Sequence, residues 1–212
     1  MTQIYLISPQ QIQLDKFSKE LEIILKTGLV PIFQLRLKDQ DDFFVKNSAI
    51  KLNKICQDYN TKFIVNDNLE LALDIGCDGV HLGIDDRQNS TNQIIKIIQN
   101  NKNFTISFSC YDSKELAIQA DNLGANFISF GAFFPTKTKI SPGKPDIEII
   151  DWAKKNLKAK IIAIGGINSQ NSHQLIAHKI DYIALISFIW QHPKGSLFAI
   201  NEISQLLLKN NK

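Results

Sequence analysis

The stretch FIVNDNLELALDIGCDGVHLGIDD, Phe63 to Asp86, holds two short apolar runs that each lead into acid, separated by one short helical segment. The first, Phe63 to Val65, stops on Asn66-Asp67; the second, Gly79 to Leu82, is soon followed by Asp85-Asp86. Alternating strand and helix builds a parallel sheet, in which successive strands finish at the same edge. Two strand ends that carry carboxylates at one edge read as two halves of a site.

The same alternation extends in both directions. QIYLIS, IFQLRL, KFIVND, GVHLG, FTISFSC, FISFGAF, KIIAIGG and YIALISF are β-branched or aromatic runs, and each leads into a segment with apolar residues at helical spacing. The helical segments carry matching end signals: DKFSKELEIILKTG ends on Gly28, DDFFVKNSAIKLNKICQDY starts on acids, and SKELAIQADNLG closes on Gly124. Eight βα units in 212 residues predict an α/β fold closed into a (β/α)8 TIM barrel, with an open doubly wound sheet as the alternative. No linker, low-complexity tract or charge block divides the chain, so one domain over residues 1–212 is expected.

A hydrophobic fraction of 44% supplies a full core. Cys56, Cys77 and Cys110 lack CxxC or metal-ligand spacing, which predicts reduced thiols and fits a cytoplasmic location. Met1-Thr2-Gln3 leads directly into IYLIS without a basic or long apolar leader, and no apolar run approaches the about 18 residues of a membrane span. A net charge of +3 is too small to indicate nucleic acid, but it suits an anionic small molecule.

In a parallel barrel the loops that follow the strands form the active face. Along PIFQLRLK, strand alternation places Phe33, Leu35 and Leu37 on one face and Gln34, Arg36 and Lys38 on the other. If the apolar face meets the helices, Arg36 and Lys38 point toward the barrel mouth, where two fixed positive charges call for an anion. A solvated strand of an antiparallel sheet is the other reading. After the sixth run, Thr136, Lys137, Thr138 and Lys139 alternate hydroxyl and ammonium donors that can wrap phosphate oxygens, or simply form a solvated basic loop. Gly165-Gly166 in the seventh unit permits close backbone approach, and Asn168 is placed to cap the next helix. Loops seven and eight often hold a phosphate in this fold.

Asp67 and Asp86 then face Arg36, Lys38 and Lys139 across the mouth. A divalent cation between the acids and a polyanion accounts for both sets, since Mg²⁺ prefers one or two carboxylates plus phosphate oxygens and waters. The acids could instead form an acid/base pair, which requires separated pKa values that nearby cations oppose. Asp67 could also cap the helix that follows it.

Taken in order, FQLRLK, FIVND with GVHLGIDD, FSCYDS, GAFFPTKTK, AIGGI and LIS resemble the thiamine phosphate synthase family over nearly the whole chain. The resemblance implies an enzyme that joins hydroxymethylpyrimidine diphosphate to a thiazole phosphate and releases diphosphate, with Mg²⁺ required. It implies that the pyrimidine diphosphate is held by Gln34, Leu35, Arg36, Leu37 and Lys38, by Asn66, and by Ser109 and Lys139. It further implies that Asp67 and Asp86 hold the metal, and that Thr136, Lys137, Thr138, Gly166, Ile186 and Ser187 hold the thiazole phosphate. Arg36, Lys38, Ser109 and Lys139 become the catalytic candidates, acting on the leaving group. With no protein nucleophile required, Cys110 and the histidines His81, His173, His178 and His192 are expected to pack or face solvent.

Three residues depart from the family pattern. Ser107 replaces a glycine and is placed to crowd the pyrimidine, Tyr111 stands where many members have histidine, and Ile84 replaces a common glutamine. A thiazole tautomerase of the same fold would place its catalytic histidine at position 111 and generally lacks the second metal acid. A non-catalytic barrel that binds thiazole or thiamine phosphate is the alternative from another class; the set Asp67, Asp86, Arg36 and Lys139 argues against it. Oligomeric state is left open.

Overall fold

Every expected run forms a strand: β1 Gln3–Ile7, β2 Ile32–Leu35, β3 Lys62–Asn66, β4 Gly79–Leu82, β5 Thr105–Tyr111, β6 Phe127–Phe130, β7 Lys160–Ile164 and β8 Tyr182–Leu185. The computed structural model describes residues 1–83, 93–97, 100–136 and 143–210. Its eight strands pair in parallel in chain order, and β8 returns to β1, so the sheet closes into a barrel instead of staying open. The helices are α1 Leu14–Leu25, α2 Asp42–Asp58, α3 Leu69–Asp74, α4 Lys114–Asn122, α5 Ile149–Asn156, α6 Ser172–Ala177, α7 Ser187–Trp190 and α8 Ser196–Asn210; residues 93–97 are also helical. Among the described residues no helix is long and apolar enough to cross a membrane.

Strand alternation divides the apolar residues into two layers. Outward-facing Phe33, Phe63 and Ile128 join helix residues such as Leu21, Leu52 and Ala117 in the larger core. Inward-facing Tyr5, Ile32, Ile64, Phe127, Ile162 and Tyr182 fill the barrel itself. Tyr5, Phe127 and Tyr182 meet edge to face, with ring centroids 5.3–6.5 Å apart. Phe127 and Tyr182 begin their strands, so this trio plugs the N-terminal end.

That end is also stapled by side chains. Asp78, Asn126 and Asp181, each immediately before a strand, accept hydrogen bonds from the backbone N–H of Phe63, Ile106 and Ile161 in the preceding strand, at 2.7–2.9 Å. The seam between β1 and β8 carries two more bonds: Thr2 Oγ1 donates to the Ile180 carbonyl and Trp190 Nε1 to that of Ile7.

Helix ends follow their local chemistry. Asp41 accepts from Phe44 N–H at the start of α2, and Ser113 accepts from Leu116 N–H at the start of α4. Gly28 and Gly124 follow α1 and α4 in the left-handed region, with φ of +69° and +88°. Asn168 does not cap a helix as expected. Its carboxamide oxygen accepts from the N–H of Gln170 and Asn171 in a turn, and α6 starts only at Ser172.

Candidate active site

A cavity opens at the C-terminal end of the barrel. β2 ends at Leu35, yet its alternation continues: Gln34, Arg36 and Lys38 line the cavity, while Leu35 and Leu37 pack into the helix-facing core. The positions between the polar ones can thus offer a ligand backbone groups but not side chains. Arg36 is only partly exposed, and its Nη1 is buried without a hydrogen-bond partner among the described residues. Burial draws the Arg36 pKa down, and the charge of Asp67 draws it back up.

Lys38 Nζ donates to Asp67 Oδ2 at 2.5 Å. Asp67 follows β3 with φ +63°, a left-handed backbone that aspartate tolerates better than most residues. It is not the helix cap. That work falls to its neighbour Asn68, whose Oδ1 accepts from Leu71 N–H at 2.9 Å, which leaves the Asp67 carboxylate in the cavity wall. Deeper in the barrel, the Tyr5 hydroxyl donates to Gln34 Oε1 at 2.8 Å, and Gln34 Nε2 donates to Asn66 Oδ1 at 2.7 Å. Polar groups from β1, β2 and β3 are joined in series.

The opposite wall comes from later strands. Ser109 and Tyr111 both line the cavity from β5, and Tyr111 has φ +54°, uncommon for a bulky side chain and a mark of local strain. Among the described residues, Thr136 from the β6 loop, Gly165 and Gly166 after β7, and Ile186 and Ser187 after β8 also line the cavity. Gly166 has φ +63°, and a Cβ there would fall 2.4 Å from the Pro135 carbonyl oxygen. The diglycine therefore lets the β7 loop lie directly against the β6 loop, so its close approach is to protein backbone.

Asp86, Lys137, Thr138 and Lys139, together with Ile84, lie outside the described residues. Two expectations are corrected. His81 neither packs away nor faces outward: it lines the cavity, with Nδ1 2.8 Å from Ser107 Oγ. Ser107 is fully buried and does not line the cavity; it supports the His81 ring from below. The parity of β4 signals His81, because Val80 and Leu82 on either side belong to the outer core. Tyr5 was legible in the same way from the alternation of β1. The remaining histidines are peripheral, His173 exposed, His178 against Asp151 and His192 against Glu202. All three cysteines are buried free thiols.

A fit to a divalent cation rests on Asp67, with one oxygen engaged by Lys38 and the other without a recorded partner among the described residues. No group of three His, Cys, Asp or Glu side chains assembles among the described residues. A metal here would draw most of its coordination from ligand oxygens and water, the pattern Mg²⁺ favours.

Comparison with known proteins bears on the family and the fold. Residues 4–189 match the family model described as thiamine monophosphate synthase. The thiamine-phosphate synthase of Rhodospirillum centenum is 32% identical over 96% of this chain and 97% of its own length. That of Pelagibacter ubique is 35% identical over 90% of each chain. Among solved structures, thiamine phosphate pyrophosphorylase from Pyrococcus furiosus superposes with a TM-score of 0.80 at 25% identity, covering 98% of this chain and 96% of that one. The 3-hexulose-6-phosphate synthase of Salmonella typhimurium, with a TM-score of 0.72 at 18% identity, shares the fold. A match this long, running through the strand ends that build the cavity, means that the chain belongs to the thiamine monophosphate synthase family.

Proposed function

We propose that this chain condenses hydroxymethylpyrimidine diphosphate with a thiazole phosphate, giving thiamine phosphate and diphosphate. The observation that carries the reading is Arg36: a fixed cation at the mouth with a buried, unpartnered Nη1 among the described residues, beside Lys38 and Asp67. Such a group is costly to leave unpaired and is relieved by an anion.

The chemistry asks for stabilisation of a leaving group more than for a base. When the bond from carbon to diphosphate oxygen breaks, negative charge grows on the departing group, and the pyrimidine carries the positive charge until the thiazole nitrogen captures it. Arg36 and Lys38, with Lys139 from the β6 loop, are assigned to the diphosphate, where preorganised donors act most strongly. Ser109, Gln34 and Asn66 are assigned to the rest of the pyrimidine substrate. Thr136, Lys137, Thr138, Gly166, Ile186 and Ser187 are assigned to the thiazole phosphate, which holds the two reactants together. A Mg²⁺ held by Asp67 and Asp86 would add neutralising charge at the diphosphate. The apolar side chains of Ile162, Ile164 and Ala184 in the cavity wall would limit access of water to the cation.

A tautomerase reading is disfavoured by Tyr111, a phenol where that activity would call for an imidazole. The test is direct: purified protein incubated with both substrates and Mg²⁺ is assayed for thiamine phosphate. Formation of the product supports the reading, and its absence with both substrates present overturns it.

A further inference from the structure

We infer that Tyr5 is a positioning residue: its hydroxyl locks the Gln34–Asn66 amide pair in one polarity, so that Asn66 offers N–H donors to the bound pyrimidine substrate. The inference rests on the proposed reaction for its substrate, but its structural core does not. Tyr5 and Gln34 are 1% and 2% exposed, and they form a chain of two bonds ending at Asn66, which lines the cavity.

The heavy-atom geometry admits two hydrogen-bond directions. In one, Tyr5 donates to Gln34, Gln34 donates to Asn66, and the Asn66 Nδ2 hydrogens are left for the cavity. In the other, both amides are turned end for end, Gln34 donates to the Tyr5 oxygen, and Asn66 presents its oxygen to the ligand. The phenol decides between them, because it has one proton and Gln34 is its recorded partner among the described residues. In the turned arrangement that proton is buried without an acceptor, a penalty on the order of 10–100-fold in population. Burial also pushes the phenol's ionisation upward, so the proton stays in place. Asn66 Nδ2 has no recorded partner among the described residues, and it is not among the atoms sealed from solvent.

The pocket therefore selects a ligand atom that carries a lone pair at Asn66, a ring nitrogen or a diphosphate oxygen, and rejects one that carries a hydrogen. Tyr5 sets this preference through two intervening bonds.

Neutron diffraction from perdeuterated, ligand-free crystals locates the deuterons directly. The expected result has the Tyr5 deuteron on the line to Gln34 Oε1 and the Asn66 ND₂ group facing the cavity; the turned amides would overturn the inference whatever reaction the chain performs. In steady-state assays, Tyr5→Phe should raise KM for the pyrimidine substrate about tenfold with KM for thiazole phosphate unchanged, while Tm falls by a few degrees because the buried Gln34 loses its donor. In an Asn66→Ala background the same change should cost less than about twofold, since the lock then has nothing to orient. Equal rises in both KM values, or the full loss repeated in that background, would reduce Tyr5 to a packing role. If the wild type forms no thiamine phosphate, the proposed reaction falls, and the neutron result still decides the lock.

Discussion

Replacing Arg36 with methionine should move activity and stability in different directions. The guanidinium sits half-buried at the mouth with one nitrogen unpartnered among the described residues, and its balancing charge, Asp67, is already paired to Lys38. Methionine keeps most of the aliphatic stem and its packing while removing the stranded donor. An unsatisfied buried donor costs roughly 1–3 kcal/mol, so its removal should offset the lost attraction to Asp67. At about 2–4 °C per kcal/mol for a chain of this size, Tm should hold or rise by a few degrees. Catalysis should suffer, because losing one preorganised charge-stabilising contact typically costs about 10²–10³ in rate. The assay pairs kcat/KM for the pyrimidine substrate with a thermal melt of the same preparation. A loss of activity below about threefold, together with a fall in Tm of more than about 5 °C, would make Arg36 a structural cation and refute the reasoning.

Three further outcomes are expected. Asp67→Asn, which preserves the left-handed backbone, should nearly abolish synthesis and remove the Mg²⁺ dependence of diphosphate binding in calorimetry; EDTA should reproduce the loss in the wild type, and full activity in EDTA would return Asp67 to a simple partner of Lys38. Gly166→Val should push Pro135 and the β6 loop aside and raise KM for thiazole phosphate far more than for the pyrimidine; equal effects would mean that the two pockets are wrongly divided. Burial pushes the Cys77 thiol up to about 11 from 9.0, so the folded chain keeps a proton that the unfolded chain gives up. Stability should therefore fall as pH rises through that window, and Ellman's reagent at pH 8 should titrate the cysteines only after unfolding.

The barrel was legible because strand parity is a local signal. Reading every second residue of PIFQLRLK separates Gln34, Arg36 and Lys38 from Phe33, Leu35 and Leu37, and the closed sheet keeps that separation even beyond the last paired residue. Depth along a strand is not encoded in the same way. Ser107 and Ser109 share a parity, but only Ser109 reaches the cavity, since the height of each position depends on how neighbouring strands stagger around the barrel. Cap choice was ambiguous for a related reason. Asp67 and Asn68 are both good capping residues, and only the turn out of β3 decides that Asn68 faces the helix. Asn168 and Asn171 posed the same problem, resolved by a turn that delays α6. The Tyr5–Gln34–Asn66 series joins three separate strands, so no window of contiguous sequence contains it.

The aromatic plug of Tyr5, Phe127 and Tyr182 makes the site a blind alley. With the far end shut, reactants and products share the C-terminal mouth, and cover over that one face is enough to isolate the reacting atoms from bulk water.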